Sequence, residues 1–265
     1  MNILEALRHP HVFGTLPAFK DLSTWSAWEA LLAAVNGLPM TTAQLATFQA
    51  HTGRSAPLPG GYRETVAIVG RQSGKTRVAA MVAVFEAITA TEEAGAELSA
   101  LLVAQDQRSA LRMLLKYASA PFDLVPMLKS TVVTRTADMI TLTNGVAISA
   151  YPCRPQAIRG LRARVCVADE LAFFRSSEGF PTDTEMLRAL RPTLATTGGK
   201  LIILSSPYGQ TGALWDLHRR HYGRDDSPVL VWQASAPEMK SLVAGRLPRA
   251  HGRRRSRSVQ VRGAR

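Results

Sequence analysis

Seven residues constrain this chain more than any others. Gly70-Arg71-Gln72-Ser73-Gly74-Lys75-Thr76 follows the apolar run Val66-Ala67-Ile68-Val69 directly and leads straight into an amphipathic stretch. Apolar run, small-residue turn and amphipathic run read as strand, loop and helix start. Backbone N–H groups of such a turn converge, and the positive end of the new helix adds to them, so the arrangement cradles phosphate. Gly70, Gln72, Ser73 and Gly74 would supply the cradle. Lys75 would pair with a γ-phosphate as a point charge, and Thr76 would set its hydroxyl on Mg2+. The expected ligands are therefore ATP and Mg2+. The competing reading is a buried Gly-Lys-Thr turn with no ligand, and the flanking strand and helix favour phosphate over it.

The loop departs from the usual G-x-x-x-x-G-K-[ST] spacing. The first glycine belongs at position 69, which is Val69, and arrives one residue late as Gly70. Arg71 follows inside the loop. An arginine there crowds Lys75 unless it meets triphosphate charge or a neighbouring acid. Arg71 is thus a candidate for the transition state, where such a group is worth ~10³–10⁵ in rate.

A second element lies about 95 residues on. Val165-Cys166-Val167-Ala168 is wholly apolar and ends in Asp169-Glu170. A carboxylate at the C-terminal end of a buried parallel strand stands at the edge where such sheets bind ligands. Asp169 would hold Mg2+, and Glu170 would orient the water that attacks the γ-phosphate. The bland alternative is an acidic pair capping the next helix. A third apolar strand, Leu201-Ile202-Ile203-Leu204, ends in Ser205-Ser206-Pro207. Its hydroxyls would sense the γ-phosphate and couple hydrolysis to the helix that follows. The alternative is a simple Ser-Pro breaker.

Weaker signals surround these three. Arg159, Arg162 and Arg164 cluster just before the acidic strand, either to touch phosphate or as a solvated loop. Phe48-Gln49 and Tyr62-Arg63 precede the loop, where an aromatic face plus an amide suits adenine. A core phenylalanine with a surface glutamine is the competing reading. The six histidines form no metal-like group, and His218 and His221 read as surface residues. Cys166 reads as core, and the two cysteines suggest neither disulfide nor zinc.

Along the chain, wholly apolar strands alternate with amphipathic helices. Strands are expected at 65–69, 101–104, 131–133, 139–142, 146–150, 165–168, 201–204 and 229–232, and helices at 74–90, 107–118, 183–195 and 211–221. Asn144-Gly145 marks a tight hairpin. This predicts an α/β fold of the P-loop NTPase type, with a mostly parallel sheet covered by helices on both faces. Residues 1–60 read as an N-terminal helical extension, 61–235 as the ATPase domain, and 236–265 as a basic, disordered tail. Nine of the 32 Lys and Arg fall in residues 240–265, which hold no acid, so the net charge of +12 is mostly a property of the tail. Polyelectrolyte attraction to a phosphate backbone would reside there. No run of about 18 apolar residues appears, so a soluble, cytoplasmic chain with no membrane contact is expected.

Taken together, V-G-R-Q-S-G-K-T, V-C-V-A-D-E-L-A-F-F and L-I-I-L-S-S-P-Y-G resemble the large terminase subunit of tailed bacteriophages over roughly residues 35–235. Arg159-Gly160-Leu161-Arg162 adds to the likeness. The resemblance implies an ATP-hydrolysing motor that drives double-stranded DNA into a capsid. It also implies a ring oligomer, a portal protein and a small terminase subunit as partners, and a phage- or prophage-encoded chain working in the bacterial host. By the same resemblance Lys75 and Thr76 bind phosphate and Mg2+, Arg71 acts on the triphosphate, and Asp169 holds the metal. Glu170 is then the catalytic carboxylate, and Ser205 and Ser206 couple hydrolysis to movement. The family usually continues into a nuclease domain, and nuclease activity is not expected from this chain. Residues 241–265 use a narrow, Arg-rich alphabet, as a shifted reading frame would give. Two other readings stay open on sequence alone: an ATP-dependent helicase-like DNA remodeller, and a truncated prophage remnant inactive as a motor.

Overall fold

Eight strands form one sheet in the order β3-β4-β5-β2-β6-β7-β1-β8 in the computed structural model, which describes residues 1–91, 97–175 and 178–240. The strands are β1 (Glu64–Val69), β2 (Leu98–Ala104), β3 (Val132–Arg135), β4 (Met139–Leu142), β5 (Val146–Pro152), β6 (Ala163–Asp169), β7 (Lys200–Ser205) and β8 (Val229–Ala234). The six from β5 to β8 in that order run parallel. Only β4 opposes them, pairing antiparallel with β3 on one side and β5 on the other. The β4–β5 turn is the expected Asn-Gly hairpin, with Gly145 at φ 82°.

Period-two alternation divides the core between the two faces. Ala67, Val69, Leu102 and Ala104 face one layer, and Val66, Ile68, Leu101 and Val103 the other. Helices α1 (Ile3–Arg8), α2 (Ser26–Val35), α3 (Thr42–Thr52) and α4 (Lys75–Thr89) belong to the first side, with the helical segment 107–124. Helices Asp183–Ala195 and Gly212–His221 cover the second. The helix starts follow their caps. Asn2 and Glu5 form a capping box on α1, Thr41 and Gln44 one on α3, and Gly53 at φ 67° ends α3.

Residues 1–60 are largely helical and pack onto the sheet. Ile3, Phe13, Trp25 and Trp28 share one buried cluster with Ala67 and Val69 of β1. Apolar side chains on the N-terminal helices have no core of their own, so they complete the layer over the sheet. The helix expected at 107–118 continues to Leu124, and residues Ala110–Leu115 are π-helical. The body also extends past 235. Ser235 and Glu238 cap a short helix, Ala236–Met239, and Met239 is buried against Trp232. The disorder expected of the tail beyond that point lies outside the described residues. No helix among the described residues is long and apolar enough to cross a membrane.

Candidate active site

The sheet order decides which side chains can meet. β7 lies between β6 and β1, so the three strands that end in Asp169, Ser205 and the loop are consecutive neighbours. Their registers are level: Asp169 pairs with Leu204, and Ser205 pairs with Ile68. All three ends therefore emerge at one rim, about 5 Å apart from strand to strand.

The loop after β1 curls tightly over that rim. Gln72 takes φ 65° and Gly74 φ 89°, both left-handed, before α4 begins at Lys75. A Cβ on Gly74 would lie 2.7 Å from the Trp25 ring, so the second glycine is required by packing as well as by φ. The displaced first glycine has a similar reason. A Cβ on Gly70 would lie 2.7 Å from the backbone nitrogen of Ala236, where the chain leaving β8 passes. From behind, the buried Trp28 donates its indole N–H to the Ser73 carbonyl at 2.9 Å. Trp25 and Trp28 thus set the loop's shape, a role that their i, i+3 spacing does not reveal.

Lys75 is almost fully buried, and its ammonium reaches across the rim. Nζ lies 2.9 Å from Glu170 Oε1 and donates to Ser206 Oγ at 3.0 Å. Ser206 in turn donates its backbone N–H to Glu170 Oε2 at 2.8 Å and its hydroxyl to Oε1 at 3.0 Å. Burial alone would raise the Glu170 carboxyl, but the Ser206 N–H and Lys75 outweigh it and hold the group below the usual glutamate range. Glu170 sits at φ 61°, a left-handed conformation that a non-glycine residue adopts at some cost, immediately after β6. That turn is what aims the carboxylate sideways at Lys75.

Asp169 is buried beside it. Its Oδ2 accepts from the Thr76 hydroxyl at 2.8 Å. Burial pushes the carboxyl up to about 6, against the Thr76 hydrogen bond. Its Oδ1 is buried without a partner, as is Ser73 Oγ. A hydroxyl and a carboxylate in contact, with one carboxylate oxygen left over, fit a hard divalent cation that takes oxygen ligands.

In front of these groups is a cavity of about 440 Å³. Gln72, Gly74, Lys75, Thr76 and Glu170 line it, with the exposed Arg71. A second cavity, of about 620 Å³, opens at the ends of β2 and β5 and contains none of these groups.

Other expected positions do not converge here. Phe48 has no accessible surface and packs edge-on to Trp232, so it cannot stack on a base. The Gln49 amide donates to the Ser55 carbonyl instead. Core packing occupies Phe48, and a local turn engages Gln49. Tyr62 is buried with its hydroxyl on Arg54. Ser205 is fully buried, and its hydroxyl accepts from the Ala172 N–H at 3.3 Å, so only Ser206 touches the site. Arg159, Arg162 and Arg164 lie at the start of β6, the opposite rim from Asp169, and Arg164 pairs with Glu86. His218 is half-buried rather than a plain surface residue, stacked between Trp215 and Tyr222.

A parallel sheet with a phosphate-type loop on one strand, an acidic pair two strands away and a serine strand between them defines a P-loop nucleoside triphosphatase. The family described as terminase large subunit, ATPase domain, matches residues 54–213, and the chain belongs to that family. It is accordingly an ATP-hydrolase domain of the terminase type.

Solved structures agree on the fold. The large terminase ATPase domain of Thermus phage P74-26 superposes with a TM-score of 0.54 at 17% identity, over 78% of this chain and 86% of that one. The bacteriophage HK97 large terminase gives 0.52 at 15% identity, covering 77% of this chain and 43% of its own. The large terminase of a thermophilic bacteriophage gives 0.51 at 13% identity, covering 80% of this chain and 45% of its own. The chain thus spans less than half the length of the last two. Among curated proteins, none matches it.

Proposed function

We propose that this chain is the ATP-driven motor unit of a phage DNA-packaging machine, moving double-stranded DNA into a capsid. The observation that carries the chemistry is the meeting of Lys75, Glu170 and Ser206 within 3.0 Å of one another beside Thr76 and Asp169. Membership of the terminase family carries the coupling to DNA.

In this reading the loop N–H groups and Lys75 bind the β- and γ-phosphates, and the half-exposed Glu170 aligns the attacking water and accepts its proton. A held-down carboxyl is ionised at neutral pH, as a base must be. Thr76 and Asp169 would hold Mg2+, which when bound neutralises charge on the phosphate oxygens. Arg71, exposed beside the cavity, would meet the charge that develops on the transferred group. Ser206 contacts both Lys75 and Glu170, so a change in either moves the end of β7 and the loop leading to helix Gly212–His221. Ser205 would anchor that end through Ala172 rather than meet the phosphate. A ring of subunits, a portal protein and a small terminase subunit would supply the setting, in the cytoplasm of the bacterial host.

Steady-state Mg-ATP hydrolysis, with and without linear double-stranded DNA and portal, tests the proposal. Turnover stimulated by DNA with portal, and lost in Glu170→Gln, is the expected result. Turnover coupled to strand separation would favour a helicase-like remodeller. Absence of nucleotide binding by folded protein would end the reading.

A further inference from the structure

A residue at φ 61°, as Glu170 is, persists there only where its surroundings over-determine it. The chain after Glu170 enters the turn Leu171–Phe173, and the helices Asp183–Ala195 and Gly212–His221 both contact that turn. Leu171 is fully buried in one cluster with Met186 of the first helix and Leu214 of the second. One side chain joins the two helices at their N-terminal ends. Asp183 is buried, and its Oδ1 accepts the N–H of Thr184, in its own helix, at 2.8 Å. Its Oδ2 accepts the N–H of Ala213, in the other helix, at 2.7 Å. Gly212 permits that approach: it sits at φ 80°, and a Cβ there would lie 2.5 Å from Asp183 Oδ2. Thr211, just before the second helix, gives it no side-chain cap, so Asp183 caps that helix from outside it.

We infer that Asp183 is a positioning residue for hydrolysis: by tying the two helix ends together it holds the turn that aims Glu170. This rests on the reading of Glu170 as the group that activates water. A carboxylate that accepts two N–H groups beside the positive ends of two helices makes a charge-assisted tie, and burial keeps water from competing for it. Without the tie, the start of helix Gly212–His221 is free to draw back from Leu171. Glu170 can then leave φ 61° for the backbone regions that ordinary residues prefer, and its carboxylate loses its aim at Lys75 and Ser206. The loop Gly70–Thr76 does not depend on this tie. Trp25 and Trp28 support it, and they belong to the core of the opposite face. Loss of Asp183 should therefore slow the hydrolytic step and spare nucleotide binding.

Mg-ATP hydrolysis by the full chain with DNA and portal, beside titration calorimetry with ATP, tests this. Asp183→Ala should lower kcat about 10–100-fold, the scale of a small misplacement of a catalytic group, with ATP affinity unchanged. Gly212→Ala reaches the same tie from an exposed position, because its methyl displaces the carboxylate. It should show the same split between kcat and affinity, and it decides the question where Asp183→Ala does not fold. Adding Thr211→Asp to Asp183→Ala gives the Ala213 N–H a local acceptor. The Tm should then recover while kcat stays low, since the link to helix Asp183–Ala195 is still missing. Recovery of kcat along with Tm would reduce Asp183 to a helix cap and overturn the inference. So would wild-type kcat in either folded single variant, or an ATP affinity that falls in step with kcat. Wild-type protein that binds ATP without turning it over would instead remove the hydrolytic reading, and this positioning role with it.

Discussion

Lys75 Nζ stands 2.9 Å from Glu170 Oε1, and the Ser206 hydroxyl touches both. The residue that would hold the γ-phosphate is thereby joined to the one that would activate water. Replacing Glu170 with Gln keeps the shape and one acceptor for Ser206 but removes the base. The expected outcome is a fall in kcat of about 10²–10⁴ with ATP affinity little changed. Single-turnover hydrolysis beside calorimetric binding measures both. Retention of wild-type turnover would show that Glu170 is not the base.

Lys75→Ala should do the reverse, abolishing triphosphate affinity first. It also leaves the Glu170 carboxylate without its cation in a half-buried place, so the carboxyl should titrate at higher pH than in wild type. Infrared titration of the carboxylate would detect the rise. An ATP affinity equal to wild type would contradict the cradle.

Asp169 has the opposite electrostatics. Its carboxyl titrates near 6 in the fold against an ordinary 3.8. Between those values the folded protein holds a proton that the unfolded chain has released. The group therefore lowers stability as pH rises, and its full cost is present above about pH 6. Asp169→Asn should raise the unfolding free energy of the metal- and nucleotide-free protein by about 1–3 kcal/mol at neutral pH, with the gain fading toward pH 4. Hydrolysis should be lost in the same variant. Urea unfolding at pH 7.5 and pH 4.5 tests the pair of expectations, and a less stable variant at pH 7.5 would refute the burial argument.

The tryptophan support behind the loop makes a separate prediction. Trp28→Phe removes the indole donor and leaves the Ser73 carbonyl unpaired, which should cost about 1–3 kcal/mol. Because the lost bond ends on the loop itself, ATP affinity should fall with it. Gly74→Ala should go further, since the added methyl meets Trp25 at 2.7 Å and the backbone sits at φ 89°. A folded Gly74→Ala protein with undiminished ATP binding would show that the loop is not fixed in this shape.

Burial pushes the Cys166 thiol up to about 12, against its hydrogen bond with the Thr193 hydroxyl. The folded thiol keeps its proton from about pH 9 to about 12 while the unfolded one loses it, so stability should decline as pH rises through that window. At pH 8 the thiolate fraction is of order 10⁻⁴. Iodoacetamide should therefore label Cys166 only after unfolding, as peptide mass analysis would show. Rapid labelling of the native protein would place Cys166 outside the core.

How much could be seen in advance depends on the range of the forces involved. Gly70–Thr76, Asp169-Glu170 and Ser205-Ser206 were legible because each follows a wholly apolar strand, and strand, turn and helix propensities act over a few residues. The parallel sheet followed from the same alternation. The burial of Phe48 was not legible, because an aromatic residue beside an amide has the same local signature in a core as in a binding pocket. The arginines at 159, 162 and 164 were ambiguous because nearness in sequence to Asp169 hides a full strand length, which carries them to the opposite rim.

By itself the chain's order of residues determined a phosphate-type loop, an acidic strand end, a serine strand end and an α/β architecture, since these follow from local periodicity and backbone stereochemistry. Only the tertiary structure decided that β7 enters between β6 and β1. That choice puts Ser206 rather than Ser205 between Lys75 and Glu170, and packing of the N-terminal helices sets Trp25 and Trp28 against the loop. Those contacts join residues tens to more than a hundred positions apart, and burial of shared apolar faces, which has no sequence range, is what selects them.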